Sequence, residues 1–512
     1  MEANVSLVGA GPGDPTLFTL AGVRALKRAN VVLYDALVNV AILQHASPSA
    51  EKIFVGKRAG HEGITQDQIH TLIERHVLAG QIVCRLKGGD PLLFGRGSEE
   101  AEFLVGRGIS FEIVPGVSSV LGATAYAGIP LTHRSLSSSV AFITSSEHAS
   151  KAESAHDWRM LACATQTLVL FMGLRKVRSE MARLVDNGRA PNTPAAAISR
   201  GTFSDQQVVV ATVATLADAC DREALAAPAL IIVGEVVNLR SSLRWWDQQP
   251  LHGVGVLVTR PEQSSESLVN LLTERGAKTY RFAATQIASL ADSESLVIQT
   301  CLNSLAEYDA VAFTSPNTVR YFFEELRKLN RDARALANAR LFAVGETTAA
   351  CLSGFGLLAD GVGDAGDSGL AEIIVRAFDG RADPPRVLIP RGSLGRMELQ
   401  WALEAAQCLV SAPLVYRTVK THGTDEELRA LFTSGSIDVV TFFAPSAVQS
   451  LCVSLGPDFA TLLAPCTIAV IGETTGSAVQ ELGLRTDLLA STPSEIALIE
   501  VLEGHYRSVR VR

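Results

Sequence analysis

No Cys-x-x-Cys pair occurs anywhere in this chain of 512 residues. Its eight cysteines, Cys84, Cys163, Cys220, Cys301, Cys351, Cys408, Cys452 and Cys466, are scattered. Zinc and iron–sulfur centres therefore have no ligand spacing to build on, and no metal is expected. Most of the eight lie in apolar runs and read as buried thiols of a reducing compartment. No uninterrupted apolar run approaches the about 18–20 residues of a membrane span. The start, Met1-Glu2-Ala3-Asn4-Val5-Ser6, lacks the basic and then apolar regions of a secretory signal and enters a strand at once. Positive charge is in deficit: 45 Lys and Arg against 53 Asp and Glu leave a net charge of −8. A general nucleic-acid surface is thereby excluded, whereas a local basic pocket for an anionic small molecule is not. Finally, an intact Gly-x-Gly-x-x-Gly dinucleotide loop is missing. The strand Val5–Val8 is followed by Gly9-Ala10-Gly11-Pro12-Gly13-Asp14-Pro15, in which Asp14 stands at the third glycine and two prolines interrupt the turn. A nucleoside ligand other than NAD fits that loop better.

What remains is a cytoplasmic, globular α/β protein, 47% hydrophobic and 19% charged. At about 100–200 residues per domain it is long enough for three or four units. The most informative stretch is Arg85-Leu86-Lys87-Gly88-Gly89-Asp90-Pro91-Leu92-Leu93-Phe94-Gly95-Arg96-Gly97-Ser98-Glu99-Glu100. It follows an apolar run, Gln81–Cys84, and precedes a helical one, Ala101–Val105, so it reads as a strand-to-helix loop, where open α/β sheets bind ligands. The two glycines admit a ligand close to the backbone, and Arg85, Lys87 and Arg96 favour an anionic one. Upstream, a helix is expected from Leu17 to Arg28, capped by Thr16 or Asp14. Asp35 ends the strand Val31–Tyr34, where it reads equally as a cap and as an active-site carboxylate. Ile53–Gly60 reads as a strand ending in a basic turn with Lys57 and Arg58. Phe111–Ser119, Leu168–Gly173, Ala195–Thr202 and Ala229–Gly234 are further strands with their exit turns.

With these motifs in order, residues 4–246 resemble uroporphyrinogen-III C-methyltransferase, of the tetrapyrrole methylase family. The resemblance is carried by Gly9–Pro15, Tyr34-Asp35, Val55–Gly60, Leu86–Glu100, Val114–Gly116, Gly128–Arg134 and Met172-Gly173. It implies two α/β domains, about 1–134 and 135–246, with S-adenosylmethionine bound between them, and a homodimer. By motif, the cofactor site would hold Pro12, Gly88, Gly89, Asp90, Leu93, Ser118, Ser119, Met172 and Gly201. Asp35 matches the proton acceptor and Lys57 the proton donor. Arg58, Arg85, Arg96 and Arg134 would meet substrate carboxylates. One departure is local: Thr144-Ser145-Ser146-Glu147-His148 stands where the family often shows Thr-Gly-His.

A polar seam over 247–253 separates this half from the strand Val254–Val258, and the remainder contains a repeat. Asp309-Ala310-Val311-Ala312-Phe313-Thr314-Ser315-Pro316 recurs as Asp438-Val439-Val440-Thr441-Phe442-Phe443-Ala444-Pro445, and Gly345-Glu346-Thr347-Thr348 as Gly472-Glu473-Thr474-Thr475. The offsets, 438 − 309 = 129 and 472 − 345 = 127, describe one α/β unit used twice. Hydroxyls at the start of a helix can hold carboxylates, or can simply cap it. This half resembles uroporphyrinogen-III synthase, through Val258–Pro261, Phe313–Pro316, both Gly-Glu-Thr-Thr runs and Leu414–Thr418. That resemblance implies two lobes, about 254–284 plus 420–512 and 285–419, joined by crossings at Tyr280–Leu290 and Leu409–Thr421. Ser315, Thr348, Ser446, Thr474 and Thr475 would meet substrate carboxylates. Tyr416 would assist departure of the substrate hydroxyl, and no cofactor is needed; from sequence alone it reads equally as a half-buried linker tyrosine. Together the halves imply closure of hydroxymethylbilane to uroporphyrinogen III, then two methylations to precorrin-2. The alternatives are a methylase for another precorrin or target, and a second half that only senses or binds tetrapyrroles.

Overall fold

The structure is a computed structural model, and it describes residues 3–56, 64–146, 156–260, 262–282, 285–363, 366–395, 397–420 and 425–510. Lys57 and Arg58 lie outside the described residues. The chain divides into two compact units, one of 1–256, 268–280 and 499–512, the other of 257–267 and 281–498.

In the first unit, a five-stranded sheet runs in the order Glu51–Phe54, Val31–Tyr34, Val83–Lys87, Val5–Gly9, Phe111–Val114. Every pairing is parallel, so all strands end on one edge. Both faces must then be covered, and the central strands are accordingly fully buried, apolar apart from Ser6, Arg85 and Lys87. Ile73 and Leu104 cover one face, Leu26 and Ile42 the other. A second sheet orders Val140–Thr144, Thr167–Phe171, Ala229–Val233, Pro194–Ser199 and Gln207–Thr212. Its first pair is parallel and the rest are antiparallel.

Two boundaries differ from expectation. The strand expected to end at Cys84 runs on through Arg85 and Lys87, and the following helix begins at Gly97. Charges that read as loop residues are strand residues because a buried carboxylate, Glu100, neutralises them. The expected single helix from Leu17 is a 3-10 turn, Pro15–Leu17, capped by Asp14, followed by a helix Leu20–Arg28 capped by Thr19.

The second unit contains the repeat as structure. Strand Ala310–Phe313 leads into helix Pro316–Lys328, and Val439–Phe442 into Pro445–Leu455. Strand Arg340–Val344 leads into helix Glu346–Ser353, and Thr467–Val470 into Glu473–Glu481. An aspartate staple recurs with them. Asp360 accepts from the Leu341 amide (2.6 Å) and Asp487 from the Ile468 amide (2.8 Å), both displaced by 127 residues (487 − 360, 468 − 341). The first copy belongs to a parallel sheet ordered Gly361–Gly363, Arg340–Val344, Ala310–Phe313, Arg386–Leu388, Leu409–Ser411. In the second copy, Val439–Phe442 pairs in parallel with Thr467–Val470, and that with Leu488–Leu489. Thr285–Ser289 and Leu414–Lys420 run antiparallel, with Ser289 opposite Tyr416.

Candidate functional sites

In the first unit the strand-end edge of the parallel sheet is closed by three loops in backbone contact. Gly11 and Gly89 exchange two hydrogen bonds: the Gly89 amide donates to Gly11 O (2.7 Å) and the Gly11 amide to Gly89 O (3.1 Å). A methyl group on Gly9 would come within 2.5 Å of the Gly116 nitrogen and 2.6 Å of Gly89 O, so only glycine fits. Gly89 itself has φ +70°, a conformation glycine adopts without cost. Asp90 fastens the loop to its neighbours. One carboxylate oxygen accepts from the amides of Leu92 (2.8 Å) and Leu93 (3.2 Å), the other from that of Gly116 (3.1 Å).

Several other residues expected at a cofactor site converge on this edge. Gly122, in the helix Ser119–Ala127 that Ser118 precedes, packs on Pro12 and on Thr202. Gly201 packs on Ala123 of the same helix, and the Asp14 amide donates to Thr202 Oγ1 (3.0 Å). Leu93 packs in the cluster of Ala123, Phe171 and Ile198, while Phe94 lies 4.7 Å, ring to ring, from Phe171, the residue before Met172. Five non-glycine residues in these loops have left-handed backbones: Phe94, Arg96, Met172, Arg200 and Thr202. Such strain is characteristic of loops shaped for a ligand.

Beneath the edge lies a buried charge cluster. Glu100 is fully buried and accepts from Lys87 Nζ (2.8 Å), Gln66 (3.0 Å) and Arg85 Nε (3.2 Å). Arg85, also buried, donates through Nη2 to Asp35 (2.6 Å), whose side chain stays partly exposed. Desolvation opposes ionisation of Glu100, but Arg85 and Lys87 outweigh it and hold its carboxyl below the usual range. Desolvation first, and then Arg85, hold Lys87 below the usual lysine range. Arg85 is thus not where a substrate carboxylate could reach it; its guanidinium is committed to Asp35, Glu100 and the carbonyls of Leu33 and Leu86. Arg96 is exposed and paired with Glu99 (2.5 Å). Arg134 is exposed on the loop after Gly128. Glu100, which organises the cluster, went unnoticed in the sequence; the signal available was two cations spaced i, i+2 in a strand.

In the second unit the features gather around Tyr416. Its ring lies across Gly392, where a methyl group would meet the phenol oxygen at 2.6 Å, and 5.2 Å from the ring of Tyr321. The Ser393 amide donates to Tyr416 O (3.1 Å). Burial pushes the Tyr416 phenol above its usual pKa, partly offset by a hydrogen bond with Ser315. Ser315 also caps the helix Pro316–Lys328 reciprocally with Thr318. The corresponding cap in the second copy is Ala444, which has no hydroxyl, and Ser446 is exposed one position inside that helix. The two Gly-Glu-Thr-Thr runs start helices with Gly345 and Gly472 as caps, so the threonines are not caps. Thr348 and Thr475, expected to face substrate, are 2% and 3% exposed. At the third helical position the side chain turns toward the sheet, which leaves Thr347 and Thr474 as the solvent-facing hydroxyls.

The two units make this a two-part α/β protein, with one candidate site at the strand-end loops of the first unit and another around Tyr416 in the second. The family Tetrapyrrole (Corrin/Porphyrin) Methylases matches residues 4–217, and Uroporphyrinogen-III synthase HemD matches residues 266–500. The chain is 33% identical over 505 residues to Porphyrin biosynthesis protein HemD of Ruminiclostridium josui, covering 98% of this chain and 97% of that one. It therefore belongs to the family of porphyrin-biosynthesis proteins that fuse a tetrapyrrole methylase to a HemD-type uroporphyrinogen-III synthase. The first half alone is 47% identical over 239 residues to the S-adenosyl-L-methionine-dependent uroporphyrinogen III methyltransferase of Methanosarcina barkeri, 47% of this chain and 94% of that one. It is also 47% identical over 243 residues to a siroheme synthase of Azotobacter vinelandii, 48% of this chain but only 52% of that protein. Among solved structures, uroporphyrin-III C-methyl transferase from Thermus thermophilus, complexed with S-adenosyl homocysteine, is 41% identical over 46% of this chain and 99% of that one, with a TM-score of 0.40. A mutant uroporphyrinogen III synthase from the same organism is 20% identical over 51% of this chain and 100% of that one, with a TM-score of 0.35.

Proposed function

We propose that the chain is a bifunctional enzyme that closes hydroxymethylbilane to uroporphyrinogen III and then methylates that product twice to precorrin-2, with S-adenosylmethionine as donor. The observation that carries this reading is the end-to-end likeness to a porphyrin-biosynthesis protein across both family matches. The methylase is assigned to 1–246 and the synthase to 254–512, with 247–253 as the link. A homodimer through the methylase half follows from the resemblance, and a cytoplasmic location is part of this proposal; among the described residues no helix is long and apolar enough to cross a membrane.

In the methylase half, a tightly knitted glycine edge with backbone groups and apolar Leu93 and Met172 around it fits a nucleoside carrying a sulfonium, which becomes a thioether once the methyl group has left. Pro12, Gly88, Gly89, Asp90, Leu93, Ser118, Ser119, Met172 and Gly201 hold it, with Asp90 acting through the loop it fastens. S-adenosylmethionine supplies an electrophilic methyl group. Attack by a pyrrole carbon leaves one proton to remove, and Asp35, partly exposed at a strand end, accepts it. Lys57 is assigned the complementary proton donation. Arg85 is a positioning residue that fixes the Asp35 carboxylate rather than a substrate ligand. Arg58, Arg96 and Arg134 meet substrate carboxylates.

In the synthase half, loss of the bilane hydroxyl gives a cationic azafulvene that water would capture. The site therefore has to keep the chain folded and dry. Tyr416, its phenol kept protonated by burial, assists hydroxyl departure. Ser315, Ser446, Thr347 and Thr474, with the amides at the two helix starts, meet carboxylates. The test is incubation of the whole protein with hydroxymethylbilane and S-adenosylmethionine, with the products separated by isomer and methyl count. Closure to uroporphyrinogen I, without inversion of the last ring, and with no methylated product would overturn the reading. A protein that binds tetrapyrrole but fails to restore isomer III in a synthase-null strain would be the sensor instead.

A further inference from the structure

In the second sheet of the first unit, the turn Phe171-Met172-Gly173 rests on an unusual floor. Glu180, on the helix Val177–Asp186, is 3% exposed, and its Oε2 is buried without a hydrogen-bond partner of good geometry among the described residues. The Ser145 hydroxyl is in the same condition. Both point at one spot: a methyl group on Gly173 would lie 2.9 Å from Ser145 Oγ, 3.0 Å from Glu180 Oε2 and 3.0 Å from Ile231 Cδ1. Gly173 has an ordinary backbone, φ −86°, so its lack of a side chain answers to this close approach and not to the turn. The residue before it, Met172, is left-handed at φ +57° and half exposed. A carboxyl oxygen and a hydroxyl held that close to the α-carbon of one turn leave it little freedom. The Ser145 amide ties to Phe171 O (2.9 Å), and Lys176 Nζ to Ser145 O (2.8 Å), so the floor is joined to the turn from both sides.

We propose that Glu180, together with Ser145, is a positioning residue for the methyl donor: a buried floor that holds Met172 in its left-handed conformation and so shapes the side of the site that faces the donor. This deepens the methylase assignment and rests on it. Glu180 touches neither donor nor substrate in this scheme; it acts through Gly173. Burial pushes its carboxyl above the usual range, offset in part by Ser145 and by the charges of Lys176, Arg183 and His156. Glutamine keeps the shape of the side chain and an oxygen in place against Gly173, whereas alanine removes the floor altogether.

The experiment measures binding of S-adenosylhomocysteine to the full chain by calorimetry, alongside KM for S-adenosylmethionine, kcat and melting temperature. The variants are Glu180→Gln, Glu180→Ala and Ser145→Ala. Glu180→Gln is expected to bind like the natural protein. Glu180→Ala is expected to bind about tenfold more weakly, because a loosened turn has to be ordered on binding, with KM raised in step and kcat little changed. Ser145→Ala should follow the same direction. Unchanged binding by Glu180→Ala, with only a lower melting temperature, would overturn the proposal. So would a Glu180→Gln variant as weak as Glu180→Ala. Absence of binding by the natural protein would instead remove the methylase reading, and this inference with it.

Discussion

Replacing Glu100 by glutamine tests the charge cluster that underlies the methylase edge. In the natural protein Arg85 and Lys87 face Asp35 and Glu100, two positive charges against two negative. Glu100→Gln keeps the shape and leaves one positive charge uncompensated where both cations are almost wholly buried. Breaking a buried pair from one side costs about 3–5 kcal/mol. At about 2–4 °C per kcal/mol for a domain of this size, the melting temperature of the first unit should fall by roughly 6–20 °C. The lower end is expected as pH rises, since Lys87, already held below its usual pKa by desolvation and Arg85, can shed its proton. The sign follows from linkage: the unfolded chain binds more protons at Lys87 than the folded one, so stability rises with pH up to the unfolded value of 10.5. Adding Lys87→Met restores equal charge and should recover more than half of the loss. Differential scanning calorimetry of the full chain between about pH 6 and pH 9 reads the natural protein and both variants. A loss below about 2 °C for the single variant, or a gap that widens with pH, would refute the reasoning.

Four further outcomes are expected. Asp90→Ala deprives the amides of Leu92, Leu93 and Gly116 of their acceptor and should cripple methylation while leaving isomer III formation nearly intact; equal loss of both activities would show that the halves do not work independently. Gly392→Ala should displace the Tyr416 ring and lower synthase turnover at least as far as Tyr416→Phe, read as isomer III yield, with methylation unchanged in both. Thr347→Ala and Thr474→Ala should each lower synthase turnover by roughly ten- to a hundredfold, the worth of one hydrogen bond to a charged group, and the double variant by more. Thr348→Ala and Thr475→Ala, being buried, should instead cost stability with turnover unchanged, and the reverse pattern would restore those two as substrate contacts.

The sequence by itself determined a great deal. Two halves, a repeated α/β unit and a glycine-rich strand exit all follow from local patterns: period, turn residues and spacing along the chain. Strands at Val5–Gly9, Val31–Tyr34 and Phe111–Val114 needed only their apolar runs and the turn residues after them. Tertiary structure alone decided what those patterns were used for. Arg85 and Lys87 look like a basic loop because their neutralising partner lies 13 and 15 residues away (100 − 87, 100 − 85), on a helix that only the fold brings beneath them. Thr347 and Thr348 are chemically alike in sequence, and a helix start turns one to water and the other to the sheet. Nothing along the chain ties Gly173 to Glu180 or Gly392 to Tyr416; only the fold sets those side chains against them. Charge compensation, the facing of a helix and the closeness of two side chains depend on distance through space. Residue order fixes those distances only after the chain has closed on itself.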